Sequence, residues 1–356
     1  MKNLNQLIAA SILVLTLVSC NKDDNNDDHV AAVTDQQVMN EFANTVAYGA
    51  YKELSTATQN MHQDIIAFQT NPTAAGLTTC QADWKAVRKT WEQTEAFLFG
   101  PAATENIDPR IDTWPVNFVD LETIISSTDV LDETYINALD DALKGFHPAE
   151  YLLFGLNGTK TYQDFTPREL EFLTALTLNL KNLTGQLSQG WNPAVSNSFY
   201  HDFTTAGNGS TVFPSKQSAF EEMVNAMSGI CDEVANGKMG EPFVAQDPSL
   251  EESPYSKNSI TDFTNNIKGV QNVYLGKFNA DGYGLEDMVR THHLALDTEI
   301  KQKIANAISS LNAVTDPFGE AIISQPTQVQ NAIDAINALQ AIIDDELLPF
   351  VQEHIN

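Results

Sequence analysis

VQNAIDAINALQAIIDDELLPF, residues 329–350, carries apolar side chains at Val329, Ile333, Ile336, Ile343, Leu347 and Phe350. Steps of three, four and seven residues put these side chains on one face of a helix, because a helical turn takes about 3.6 residues. The same spacing recurs upstream. Val38, Phe42, Val46, Leu54, Met61, Ile65 and Phe68 follow it until Asn71-Pro72 ends the run. Residues 167–189, 214–236, 260–275 and 285–312 behave alike, and no segment alternates as a strand would. The chain therefore reads as all-α, its apolar stripes buried in helical bundles. GWNPAVSNSFYHDFTTAGNGSTVF, residues 190–213, has no sustained period and is rich in Gly, Asn and Ser. It predicts a linker over 191–213 between an N-terminal helical domain, 35–190, and a C-terminal one, 214–356.

The start of the chain reads differently. Lys2 precedes an apolar run, Leu7 to Val18, that is too short to span a bilayer comfortably and reads as the core of a signal peptide over 1–19. The run ends in Leu17-Val18-Ser19-Cys20, which resembles a bacterial lipobox and makes Cys20 the expected lipidation site. NKDDNNDD, residues 21–28, cannot bury anything and opens an acidic tether reaching residue 34. Its Lys-Asp-Asp resembles the surface-export signal of Bacteroidetes lipoproteins. The expected location is the bacterial cell envelope, lipid-anchored in the outer membrane, with the export signal favouring its outer face.

The chain has 19 basic and 47 acidic side chains, a formal charge of −28. Such a field repels nucleic acid and anionic lipid, so membrane contact is expected through the anchor alone. It keeps the surface solvated and attracts cations. Beyond Cys20 there are only Cys80 and Cys231, which allow one disulfide or two small buried thiols. No C-x-x-C occurs, so a thiolate zinc site is excluded.

Chemistry concentrates in a few stretches. In GFHPAEYLLFG, residues 145–155, Pro148 suits the first helical position, which puts His147 at the N-cap and Glu150 one turn in, on the same face. A glutamate near a helix start is explained by the helix dipole alone. The apolar residues 151–154 nevertheless imply burial, and a buried carboxylate must be paired, protonated or metal-bound. In WKAVRKTWEQTEAFLFGP, residues 84–101, Trp84, Arg88, Trp91 and Glu95 share one face. A solvent-facing edge with Arg88 paired to Glu92 would explain the charges; the flanking tryptophans argue for burial against His147 and Glu150. IDPRIDTWPV, residues 107–116, is a turn-rich connector with Asp108, Asp112 and Trp114. In ESPYSKNSITDFTNNIKGVQNVYLG, residues 252–276, Ser259 and Asp262 read as a capping-box variant, and Asp262, Asn266 and Gly269 as a polar stripe explained by exposure. EAFLFG (95–100) and EYLLFG (150–155) echo each other, each closing a helix on glycine.

Together the stretches Gly145-x-His147-x-x-Glu150, W-x-x-x-R-x-x-W-E from Trp84, D-T-W-P from Asp112 and the E-S-x-x-S…D…N…G-V-x-x-V-Y-x-G block from Glu252 resemble the imelysin-like family over essentially everything after the tether. The resemblance implies two helical-bundle domains with a site at their interface, secreted or lipid-anchored placement, and a link to iron uptake. The family takes its name from a member described as a peptidase. By position, His147 and Glu150 form the centre of the site, with Arg88, Glu95, Asp112, Ser256 and Asp262 matching further family positions.

The expected function is metal binding in iron uptake, with His147, Glu150 and Glu95 as ligands and Arg88 balancing charge. Imidazole with carboxylates suits iron or another divalent ion, free or as a chelate. An iron transporter component is the expected partner, and no turnover is required. The alternative is a metal-dependent peptidase. It lacks H-E-x-x-H, and a Glu150 that binds metal is not free to act as base. Ser256 has no G-x-S-x-G elbow. His292 reads as a core histidine on the stripe of Leu285, Val289, Leu296 and Ile300, and His293 with Asp297 as an exposed pair.

Overall fold

A computed structural model describes residues 33–355. The expected signal peptide, the expected lipidation site Cys20 and most of the expected tether lie outside the described residues. The helices that position the candidate site are α1 (Gly49–Thr70), α2 (Ala74–Thr94), α3 (Phe146–Phe154), α4 (Pro167–Gly190), α5 (Lys216–Asp232), α6 (Ser259–Leu275), α7 (Leu294–Asn312) and α8 (Pro326–Ile342). The chain is all-α, as the spacing predicts. A two-residue antiparallel pairing, Lys277–Phe278 with Ala280–Asp281, is the departure among the described residues. None of the described helices is long and apolar enough to cross a membrane.

Helices α1, α2, α3 and α4 pack as one group, and α5, α6, α7 and α8 as another. The groups meet where α2 lies against α6. The stripe from Val329 to Phe350 is buried along its length, continuing from α8 through a π turn, Ile343–Leu347, into Leu348–His354. Thr166 opens α4 with a reciprocal capping box to Glu169. Cys80 and Cys231 are both buried and free.

Several local expectations are corrected. Residues 285–312 form two helices, Leu285–His292 and α7, because His293 leaves helical geometry and its ring accepts the Leu296 amide at 3.0 Å as a cap. His292 is thereby exposed rather than in the core. Helix α6 is capped at Asn258 without a side-chain bond. Ser259 instead donates to Glu251 at 2.9 Å, and Asp262 accepts from the Asn258 amide at 2.6 Å. The polar stripe Asp262, Asn266 and Gly269 is buried against α2.

Gly269 makes that approach possible. A Cβ there would stand 2.5 Å from the Gln93 carbonyl oxygen and 3.1 Å from the Ala96 Cβ. Gly269→Ala is expected to destabilise the fold by about 1–3 kcal/mol through overpacking, read as a lower denaturant midpoint with unchanged slope. Gly229→Ala, at an exposed α5 position with open space, should instead stabilise by roughly 0.5–1 kcal/mol.

Candidate functional site

Helix α2 turns Trp84, Arg88, Trp91 and Glu92 into the protein and delivers Glu95 from the turn Glu95–Phe97 that follows it. All five are buried, so this face is no solvent edge. The Arg88 guanidinium lies 4.9 Å from the centre of the Phe146 ring. It ion-pairs with Glu92 one turn on and with Asp112, reaches Glu252 at 3.1 Å, and stands 4.0 Å from Asp262. Asp112 closes the short helix Asp108–Asp112, and its second oxygen accepts the Trp91 indole N–H at 2.6 Å.

Helix α3 begins two residues earlier than the proline suggests. Gly145 is its N-cap, at φ +85°, and His147 is the second helical residue. A side chain at Gly145 would collide with the Ile111 backbone, so glycine lets this turn lie directly on the Asp112 helix. His147 Nε2 then stands 3.2 Å from Asp112 Oδ1 as an ion pair without the alignment of a hydrogen bond, and Nδ1 stands 3.5 Å from Glu150 Oε2. The other Glu150 oxygen accepts both the Ser256 amide at 2.7 Å and its hydroxyl at 2.6 Å. The expected His147–Glu150 pairing is thus present, and Ser256 serves Glu150.

Glu95 lies apart from this pair. Its Oε2 accepts from Lys238 Nζ at 2.8 Å and from the Asn266 amide at 2.5 Å. Lys238 also donates to Glu252 at 2.9 Å and lies 3.7 Å from Glu92. It is the last residue of a π turn, Glu233–Lys238, that extends α5. The donor atoms of Asp112, His147 and Glu252 lie within 4.8 Å of one another, as do those of Glu92, Glu95 and Asp112, and those of Glu92, Glu252 and Asp262. Sequence reasoning did not single out Glu92, Glu252 or Lys238 as site residues. The first two sit inside quoted motifs, whereas nothing around Lys238 marks it.

The cluster gathers the carboxyl groups of Glu92, Glu95, Asp112, Glu150, Glu252 and Asp262 around Arg88, Lys238 and His147. Acid exceeds base in a dry setting. Burial pushes Glu92, Glu95 and Asp262 up from the ordinary carboxylate range, only partly opposed by Arg88 beside Glu92 and Asp262 and by Lys238 beside Glu92 and Glu95. Asp112 behaves oppositely: burial would raise it, but Arg88 and His147 hold it well below that range. Burial alone would favour a neutral His147; the Asp112 and Glu150 carboxylates outweigh it and raise the imidazole to about 9. Glu252 Oε2, Asp262 Oδ2 and His147 Nε2 have no hydrogen-bond partner. Such a cluster takes up protons or a cation.

Removing Arg88 leaves Asp112, Glu92 and Glu252 buried without their shared partner. Arg88→Met is expected to destabilise by about 3–5 kcal/mol, measured by denaturant unfolding. His147 adds a pH signature. Its folded pKa lies above the unfolded value of about 6.5, so its stabilisation is complete below the latter and lost as pH rises through about 9. The stability difference between the natural protein and His147→Gln should shrink over that window in unfolding curves recorded at successive pH values.

The imelysin family profile matches residues 47–345. The iron-regulated protein A of Synechococcus elongatus is 30% identical over 329 residues, covering 90% of this chain and 88% of its own. Among solved structures, one described as an iron-regulated protein A precursor from Parabacteroides distasonis superposes with a TM-score of 0.81 at 25% identity, covering 91% of this chain and 97% of that one. An imelysin-like protein from Psychrobacter arcticum shares the fold with a TM-score of 0.73 at 12% identity, over 91% of this chain and 97% of its own.

Proposed function

The chain belongs to the imelysin family, and from that premise we propose that it is a lipid-anchored envelope protein that binds iron or another divalent metal, free or chelated, in iron uptake. The observation that carries this reading is the set Asp112, His147 and Glu252, whose donor atoms lie within 4.8 Å of one another while His147 Nε2 and Glu252 Oε2 have no hydrogen-bond partner. Nitrogen and oxygen donors of this kind suit iron. The similarity to iron-regulated proteins supports the same direction. The lipobox-like end of the leader, with Cys20, supports the anchor, and an iron transporter component is the proposed partner.

Each residue then has a role. Ser256 fixes Glu150 with two hydrogen bonds, and Glu150 faces His147 Nδ1, which turns Nε2 toward Asp112 and the remaining carboxylates. Arg88 holds Asp112 ionised. His147 must give up a proton to become a ligand, so cargo binding releases protons. The site is assigned to binding rather than turnover.

The test is calorimetric titration of ferrous, ferric and zinc ions into the mature chain carrying Cys20→Ser, beside the same chain with His147→Ala or Glu252→Gln. Stoichiometric binding is expected, weakened at least about tenfold by either substitution. Equal binding by all three would refute the assigned ligand set, and cleavage of a peptide library by the metal-loaded chain would favour the peptidase alternative. Palmitate incorporation in cells should disappear with Cys20→Ser.

A further inference from the structure

Trp114, Pro115, Glu233, Lys238, Glu241 and Leu250 line a surface depression of about 310 Å³. Lys238 is among the lining residues and is itself buried, with Nζ donating to Glu95 at 2.8 Å and Glu252 at 2.9 Å. The ammonium therefore stands between the depression and the carboxylates. Trp114 walls the same passage: its ring lies 5.7 Å from Lys238 Nζ, and its centroid 6.0 Å from that of the His147 ring. Glu233 and Glu241 are exposed at the rim, where they attract an arriving cation and repel an anion.

Glu252 raises a conflict. Its Oε1 accepts from both Arg88 and Lys238, and Glu252 also belongs to the set assigned to the cargo. One carboxylate cannot neutralise two side-chain cations and still present its charge to a metal ion. Arg88 is poorly placed to yield, being paired to Asp112 and Glu92 as well and stacked on Phe146. Lys238 has a flexible four-carbon stem, a path into the depression, and Glu233 at 3.9 Å to receive its charge.

We propose that Lys238 is a displaceable internal cation: a divalent metal ion entering past Trp114 gains Glu252, and with it Asp112 and His147, as the ammonium leaves Glu252 and turns outward toward Glu233. The lysine is bonded to Glu252, the carboxylate it shares with the assigned metal set, so it keeps the empty cluster neutralised and screens it from monovalent ions that cannot displace a hydrogen-bonded ammonium. Replacing one positive charge by two also offsets more of the cluster's acidic excess. The proposal rests on the metal-binding reading above and adds the route and the exchange.

Lys238→Met keeps the stem and removes the charge. Titrated with Mn²⁺ and Zn²⁺ in the mature Cys20→Ser chain, it is expected to bind roughly tenfold tighter or more than the natural sequence, because a competing like charge is gone. Its metal-free form should melt lower, and metal should restore the loss. The Glu233→Gln/Glu241→Gln chain removes both the rim charge and the group that receives the displaced ammonium, and should associate more slowly with metal and with a weaker ionic-strength dependence. Affinity in Lys238→Met equal to or below that of the natural sequence would overturn the lysine proposal while leaving the metal-binding reading standing. Absence of binding in both chains would remove the two together. Should Lys238→Met fail to fold without metal, an unchanged association rate in the rim variant overturns the proposal.

Discussion

A guanidinium with no exposed surface organises this molecule. Arg88 cannot shed its proton at any pH a protein tolerates, so a chain that buries it must bring carboxylates to it. Three segments do so. Glu92 comes from the next turn of α2, Asp112 from the short helix Asp108–Asp112, and Glu252 from the stretch leading into α6. Those obligations place the Asp112 helix against α3 and draw α6 onto α2, where Gly269 permits the approach.

Burying ions in this number is a poor way to gain stability. Desolvation costs several kcal/mol per ion and is returned only by good geometry, so a well-packed apolar core would serve a purely structural protein better. The surroundings show that apolar packing was available: Trp84, Trp91 and Phe146 enclose the cluster. The charges are more economically explained as a site that handles charge, in which carboxylates outnumber their cations and orphaned atoms belong to Glu252, Asp262 and His147. The two resident cations differ in kind. Arg88 is fixed by several partners and an aromatic face, whereas Lys238 borders the outside.

Where side chains repeat along one element, the sequence is legible. Apolar stripes such as Val329 to Phe350 require a helix with a buried face whatever it packs against. Trp84, Arg88 and Trp91 point to an unusual face on α2 because local helical geometry alone superposes them. His147 and Glu150 pair for the same reason, at three residues' separation. Even the correction at His293 is local, since one residue leaving helical geometry was enough to expose His292.

Partner choice is different. Lys238 meets Glu95 across 143 residues of chain and Asn266 meets Glu92 across 174, and no spacing rule reaches that far. A stripe of Asp262, Asn266 and Gly269 looks the same in sequence whether it faces water or a second charged helix. Spacing along the chain is enough to read the long helices, their apolar faces and the residue types able to carry charge chemistry. The tertiary structure alone decided which carboxylate answers which cation, that Glu95 sits with Lys238 rather than with His147, and that Glu252 is shared. The reason is electrostatic: in a dry interior, pairing depends on the distances between atoms that only the packed chain brings together.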